Sequence, residues 1–185
     1  LTNIYPKRKG TYINTYNSII NRPVNFKMDY LKKMMKPKRS IFGVTVKADG
    51  IRYLLYISEE GFVMFNNNQI INKPEHVQEY KKFAGTLMDV EYIASKDIIY
   101  VFDCLAYNGN DILHFPGKKR LQYVKRVITT SDKIKVKKMF FTSDMGTDLE
   151  KAIEHASEEF GDDYNDGFIF VNMDGEYDKE QYKYK

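Results

Sequence analysis

Ile41-Phe-Gly-Val-Thr-Val-Lys47-Ala-Asp49-Gly50-Ile-Arg52-Tyr-Leu-Leu-Tyr-Ile57 reads as two β-rich runs separated by Asp-Gly, the strongest short-range hairpin signal. In the first run Val44, Val46 and Ala48 fall on one face, Thr45 and Lys47 on the other. A two-residue turn at Asp49-Gly50 pairs Ala48 with Ile51 and sets Lys47 opposite Arg52. Two cations facing each other across a strand pair destabilise a purely structural hairpin. A lysine beside another cation gives up its proton more easily, which marks Lys47 as a candidate nucleophile. An exposed hairpin edge carrying two basic residues is the alternative reading of the same pattern.

The 185 residues suit one domain with a real core, since 43% are hydrophobic and 12 Phe and 15 Tyr supply bulk. Cys104 is the only cysteine, so there is no internal disulfide and no cysteine zinc cluster, and a reducing compartment is expected. His76, His114 and His155 match no metal-ligand spacing. No run of eighteen apolar residues occurs, so no membrane helix is expected, and the N-terminus lacks an apolar signal region. The expected location is intracellular, cytoplasmic rather than nuclear. The net charge of +4 is mildly basic, compatible with a phosphate-bearing partner. The chain opens on Leu1, which suggests a piece of a longer polypeptide. Plentiful Lys, Asn, Ile and Tyr hint at an A/T-rich genome, such as that of a large DNA virus or a cytoplasmic replicon.

Residues 1–25 are polar and turn-rich, and residues 28–36 have the spacing of a short amphipathic helix stopped by Pro37. Strands are expected at 61–65, 86–93, 97–106, 134–141 and 167–171, and the start of another at 182–185. A helix or loop occupies 74–83. Good helices are expected at 118–129, with a strongly basic polar face, and at 148–160, with Thr147 as its cap. Asp103 lies alone among apolar residues, so it must be paired or hydrogen-bonded wherever it points. Strands dominate, which predicts an α+β fold of mostly antiparallel sheets with flanking helices.

Lys47-x-Asp49-Gly50-x-Arg52 resembles the nucleophile motif of the covalent nucleotidyltransferases: mRNA capping guanylyltransferases, ATP-dependent DNA ligases and RNA ligases. Four later segments match that family in order: Thr86-Leu-Met-Asp89-Val90-Glu91, Ile99-Tyr-Val-Phe102-Asp103, Asp166-Gly167-Phe-Ile-Phe170 and Lys183-Tyr-Lys185. Pro23-Val24 and Arg120-Leu121 also sit where the family has similar elements. The tract from Lys47 to Ile57, and Phe102-Asp103-Cys-Leu-Ala followed by Asn-Gly, look more like capping enzymes than ligases.

The resemblance implies the nucleotidyltransferase core of ligases and capping enzymes, an ATP-grasp-like arrangement, over residues 1–185. A C-terminal oligonucleotide-binding-fold domain is expected in the parent protein. Lys47 would attack the α-phosphorus of GTP, and the resulting lysine-GMP would pass GMP to 5′-diphosphate-ended RNA. Arg52, Lys183 and Lys185 would grip phosphate, Glu91 the ribose, and Phe102 would stack on the base. Asp166 would support Mg²⁺ or Mn²⁺, a hard cation that suits its oxygens. Other capping domains are expected in the same polypeptide or complex. The alternatives are a ligase that forms lysine-AMP, or an inactive RNA-binding relic of the fold. Two positions depart from the family: Val90 stands where it has glycine, and Asn66-Asn67-Asn68 where an arginine is common.

Overall fold

The computed structural model describes residues 11–20, 41–142, 147–160, 167–177 and 183–184. It divides into two compact units, the first formed by residues 1–20, 50–115 and 119–136, the second by 21–49, 116–118 and 137–185. The motif around Lys47 straddles the boundary between them.

The first unit is built on β2 (Ile51–Ser58), β3 (Gly61–Phe65), β4 (Ile70–Lys73), β5 (Thr86–Ile93), β6 (Ile98–Tyr107), β7 (Asn110–Asp111) and β8 (Ile134–Val136). They form one sheet in the order β4-β3-β2-β5-β6-β7, antiparallel throughout, with β8 added parallel to β6. Tyr53, Leu54, Leu55 and Ile57 of β2 are all buried, as are Leu87, Met88 and Val90 of β5, so the central strands are covered on both faces. Helical turns at Pro74–His76, Val77–Tyr80 and Lys81–Phe83 answer the expectation of a helix or loop at 74–83. Helix α2 (Gly117–Val127) buries Arg120, Leu121, Val124 and Val127 and exposes Lys118, Lys119, Lys125 and Arg126.

In the second unit β1 (Phe42–Val46), β9 (Phe140–Thr142), β10 (Phe168–Asn172) and β11 (Lys183–Tyr184) form an antiparallel sheet in the order β11-β10-β1-β9. Helix α3 (Thr147–Phe160) packs Ala152 and Ala156 on Val44 and Val46 of β1, with Leu149, Ile153, Phe140, Phe168 and Phe170 around them. The α+β class and the antiparallel sheets are as expected.

Three local expectations are corrected. Asp49-Gly50 is not a hairpin. β1 is buried at every position, paired with β10 along its whole length and with β9 at Phe42–Val44, and it shares no ladder with β2. β2 pairs instead with β3 and β5 in the other sheet. Residues 134–141 are not one strand: β8 joins β6, and β9 joins β1. The polar segment 1–25 contains α1 (Thr11–Ile19), where Tyr12 and Tyr16 recur at helical spacing and the Tyr12 ring meets Phe65 at 4.8 Å. The helix expected at 28–36 and the Pro23-Val24 element lie outside the described residues.

Candidate nucleotide-transfer site

Gly50 opens the site in the first unit. Its φ is not left-handed, so no turn demands glycine here. A Cβ would instead meet Glu91 Cγ and Ile93 Cδ1 at 2.7 Å and the Tyr92 carbonyl oxygen at 3.0 Å. The missing side chain lets β5 close over the start of β2.

Arg52 and Glu91 are register partners on β2 and β5, and Asp89 lies two residues along β5 on the same face. The guanidinium grips Asp89 with both arms of its fork: Nε donates to Oδ1 at 2.7 Å, and Nη2 donates to Oδ2. The same guanidinium carbon lies 5.7 Å from the Phe102 ring centroid. Phe102 is half-buried and is the extra residue of a β-bulge, since Asp89 pairs with Asp103 while Val90 pairs with Val101. Tyr100 pairs with Glu91, so strand alternation sets Phe102, two residues on, on the Arg52 side of the sheet. Arg52, Glu91 and Phe102, all chosen from the sequence, therefore stand together on one face.

Two residues absent from the sequence-based assignment complete this face. Asp89, wholly buried, fixes the Arg52 fork. Asn66, at the position where the family often has arginine, accepts from the Asn68 and Gln69 N–H groups at 2.9 and 3.0 Å. Its amide donates to the Arg52 carbonyl at 3.4 Å, so the turn after β3 steadies the backbone that carries Arg52. Val90 points away from this face and packs between Tyr53 and Val101.

Next to Phe102 on β6, Asp103 is reached by Arg120 of α2, with Nε donating to Oδ1 at 2.9 Å and Nη2 to Oδ2 at 3.2 Å. The Phe115 carbonyl accepts from Nη1, and the Cys104 N–H donates to Asp103 Oδ1 at 2.9 Å. The isolated acid is thus paired, as its apolar surroundings require. Burial pushes the Cys104 thiol well above its ordinary range, so it is a packing group rather than a nucleophile.

In the second unit Lys47 extends β1 by one residue, its N–H donating to the Gly167 carbonyl at 2.8 Å. Strand alternation puts its side chain opposite the face on which Val44 and Val46 meet α3. Thr45, 2% exposed, shares the Lys47 face, and its hydroxyl has no hydrogen-bond partner among the described residues. Because β1 and β2 share no ladder, the facing-cation argument for Lys47 has no hairpin to rest on. Lys183 pairs with Val171, itself opposite Gly43, so its backbone is two strands away and four register steps from Lys47. Asp166 and Lys185 lie outside the described residues.

Asp166, the residue that the resemblance implies for a divalent cation, is not among the described residues. No three His, Cys, Asp or Glu side chains cluster among those that are, and Asp89 and Asp103 are each committed to an arginine.

Residues 20–183 match the family described as mRNA capping enzyme, catalytic domain. The chain belongs to that family. Among solved structures this capping-family domain is similar to the ligase domain of LigD from M. tuberculosis, with TM-score 0.56 and 13% identity over 78% of this chain and 53% of that one. A mycobacterial DNA ligase D complexed with ATP and MES gives 0.55 and 12%, over 78% and 54%. A structure from a study of Lig E DNA ligases gives 0.54 and 15%, over 90% and 68%. At these identities the likeness is one of fold. The chain spans about half the length of the two ligase D structures. No curated protein sequence matches it. A nucleotidyltransferase of the capping and ligase superfamily follows from the family match and the fold. No described helix is long and apolar enough to cross a membrane.

Proposed function

We propose that this domain is an mRNA guanylyltransferase. The Lys47 amine, having lost its proton, attacks the α-phosphorus of GTP. The bond from that phosphorus to the β-phosphate oxygen breaks, and pyrophosphate leaves. A terminal oxygen of a 5′-diphosphate RNA end then attacks the same phosphorus, the nitrogen–phosphorus bond breaks, and the lysine regains a proton. Arg52 contacts the nucleotide as a preoriented cation, Glu91 accepts from ribose hydroxyls, and Phe102 stacks on the base. Lys183 and Lys185 hold phosphate oxygens. A divalent ion, Mg²⁺ or Mn²⁺ with Asp166 as its protein ligand, supplies charge neutralisation of the triphosphate when bound. An oligonucleotide-binding-fold domain and other capping activities belong to the parent polypeptide or complex.

The observation that carries this reading is the face on which Arg52, locked to Asp89, stands opposite Glu91 and over Phe102. Such a face offers one cation, one acceptor and one ring to a nucleotide. The likeness to a DNA ligase D structure holding ATP supports a second reading, in which Lys47 is adenylated.

Incubation with labelled GTP or labelled ATP and Mg²⁺ or Mn²⁺, followed by denaturing electrophoresis, decides between them. Covalent label from GTP supports guanylyl transfer, and label from ATP alone supports the ligase reading. Lys47→Ala and Lys47→Arg both abolish the adduct, since a guanidinium does not usefully lose its proton. An adduct that survives in Lys47→Ala overturns both readings.

A further inference from the structure

Helix α2 and its flanks form one of the basic stretches of the chain. Between Ile112 and Ser131 there are five Lys or Arg and no Asp or Glu, more positive charge than the net +4 of the whole protein. Arg120 is buried on Asp103, and the others are exposed.

Beside these cations runs a row of half-buried rings. Phe83 meets Tyr107 at 6.4 Å between centroids, Tyr107 meets Tyr123 at 4.9 Å, and Tyr123 stacks on Phe115 at 6.2 Å. Lys82 Nζ lies 5.0 Å from the Phe83 centroid and Lys119 Nζ 3.6 Å from that of Phe115. The Arg126 guanidinium carbon lies 5.4 Å from Tyr123 and 5.9 Å from Tyr107. All three cations are exposed, and none is ion-paired with a described carboxylate. They are held over rings rather than neutralised.

We propose that this row, Phe83-Tyr107-Tyr123-Phe115 with Lys82, Arg126 and Lys119, binds a single-stranded RNA, the acceptor in the transfer proposed above. Adjacent rings give a platform on which unpaired bases stack whatever their sequence, and the flanking cations match the phosphates. A duplex hides its base faces and cannot use such a platform. The row is linked to the nucleotide face through β6, which carries Phe102 and ends at Tyr107 five residues later, roughly 15 Å along the strand. The identity of the strand as an acceptor rests on the transferase reading; the binding face does not.

The test is fluorescence anisotropy of a labelled 12-nucleotide single-stranded RNA across a salt series, with a duplex of equal length in parallel. The wild type binds the single strand more tightly than the duplex. Tyr123→Leu keeps an apolar side chain but loses the ring, and weakens single-strand binding about tenfold. Arg126→Gln and Lys119→Gln each lower the slope of log affinity against log salt by about 0.7. These two positions are exposed, so they judge the proposal even if Tyr123→Leu disturbs the fold. All three variants form the lysine adduct at wild-type yield. Unchanged affinity and slope in the two charge variants, or a preference for the duplex, overturns the proposal. RNA binding through these residues by a wild type that makes no adduct from GTP or ATP sinks the transferase reading and leaves the binding face standing.

Discussion

Asp89 and Asp103 are directly opposite each other on β5 and β6, both buried, and each is clamped by its own arginine. Two carboxylates on directly paired residues in the interior need cations to compensate them. Arg52 and Arg120 make the four-residue set neutral. The two pairs differ in exposure: the Arg52 side chain keeps 19% of its surface in water, the Arg120 side chain none. Arg120→Leu strands Asp103 without a counter-charge and should cost about 3–5 kcal/mol of stability. Adding Asp103→Asn to that variant should recover part of the loss, because the buried charge is then gone. Arg52→Leu should cost less, since water can reach Asp89 from the open side. Urea unfolding of the three variants and the wild type measures this. A double variant no more stable than Arg120→Leu would mean that the pair is not coupled.

Gly50 separates two explanations of the same residue. A turn would need its conformational freedom, whereas the structure needs its lack of a side chain beneath Glu91 and Ile93. Gly50→Ala should therefore destabilise by about 1–3 kcal/mol through overpacking. Ile93→Val in the same chain, by removing the atom that a Cβ at position 50 would strike, should recover some of that loss. Thermal unfolding reads both. If Gly50→Ala is neutral or stabilising, the close approach of β5 is not what this glycine serves.

That Arg52, Glu91 and Phe102 share one face was largely legible in the sequence, and the reason lies in residue order. Arg52, Glu91 and Phe102 fall on the neighbouring strands β2, β5 and β6, of which only β5 and β6 are consecutive in the chain, so the order of the motifs rather than local spacing made them legible. Asp89 was legible by the logic that paired Asp103, an acid among apolar neighbours that must find a cation, but Arg52 had been set opposite Lys47. That error came from Asp49-Gly50, whose hairpin signal is local, while the partners of β1 come from residues 140–142 and 168–172. A strand buried on both faces announces no pairing preference of its own. The break of 134–141 into β8 and β9 was hidden for a similar reason, because alternation reads the same whichever sheet receives the strand. Helix α1 was missed because Asn, Thr and Ser favour turns in isolation, and contact with Phe65 outweighs that preference.

Thr45 offers a test of whether the Lys47 face has been shaped for stability or for chemistry. A buried hydroxyl without a partner costs stability, and valine has nearly the same shape. If the hydroxyl plays no part in the reaction, Thr45→Val should raise stability by about 1 kcal/mol and leave adduct formation unchanged. If it touches the nucleotide or the lysine, the same stabilisation should accompany a fall in adduct yield. Measuring unfolding and adduct formation on one preparation distinguishes these results. A loss of stability would show that the hydroxyl has a partner beyond the described residues.

Asp97 closes the β5–β6 turn with positive φ, 52°, and gathers three donors: Lys73 Nζ at 2.9 Å, Tyr92 Oη at 2.8 Å and Lys133 Nζ at 3.1 Å. The hydrogen bond from Lys73, then those from Tyr92 and Lys133, hold its carboxyl well below the usual carboxylate range. A carboxyl whose pKa is depressed in the folded state contributes stability above the unfolded value, near 3.9, and loses it as pH falls toward the folded value. At 44% side-chain exposure the contribution is screened and should stay under about 1 kcal/mol. Asparagine tolerates the left-handed backbone, so Asp97→Asn removes charge without adding strain, whereas Asp97→Ala adds strain as well. The unfolding midpoint of Asp97→Asn should therefore lie slightly below wild type between pH 5 and 8, with the gap closing below about pH 4. Asp97→Ala should lie lower still and keep part of its deficit in acid, where only backbone strain remains. A gap between wild type and Asp97→Asn that persists unchanged down to pH 2 would mean that the carboxylate's charge does not hold this turn.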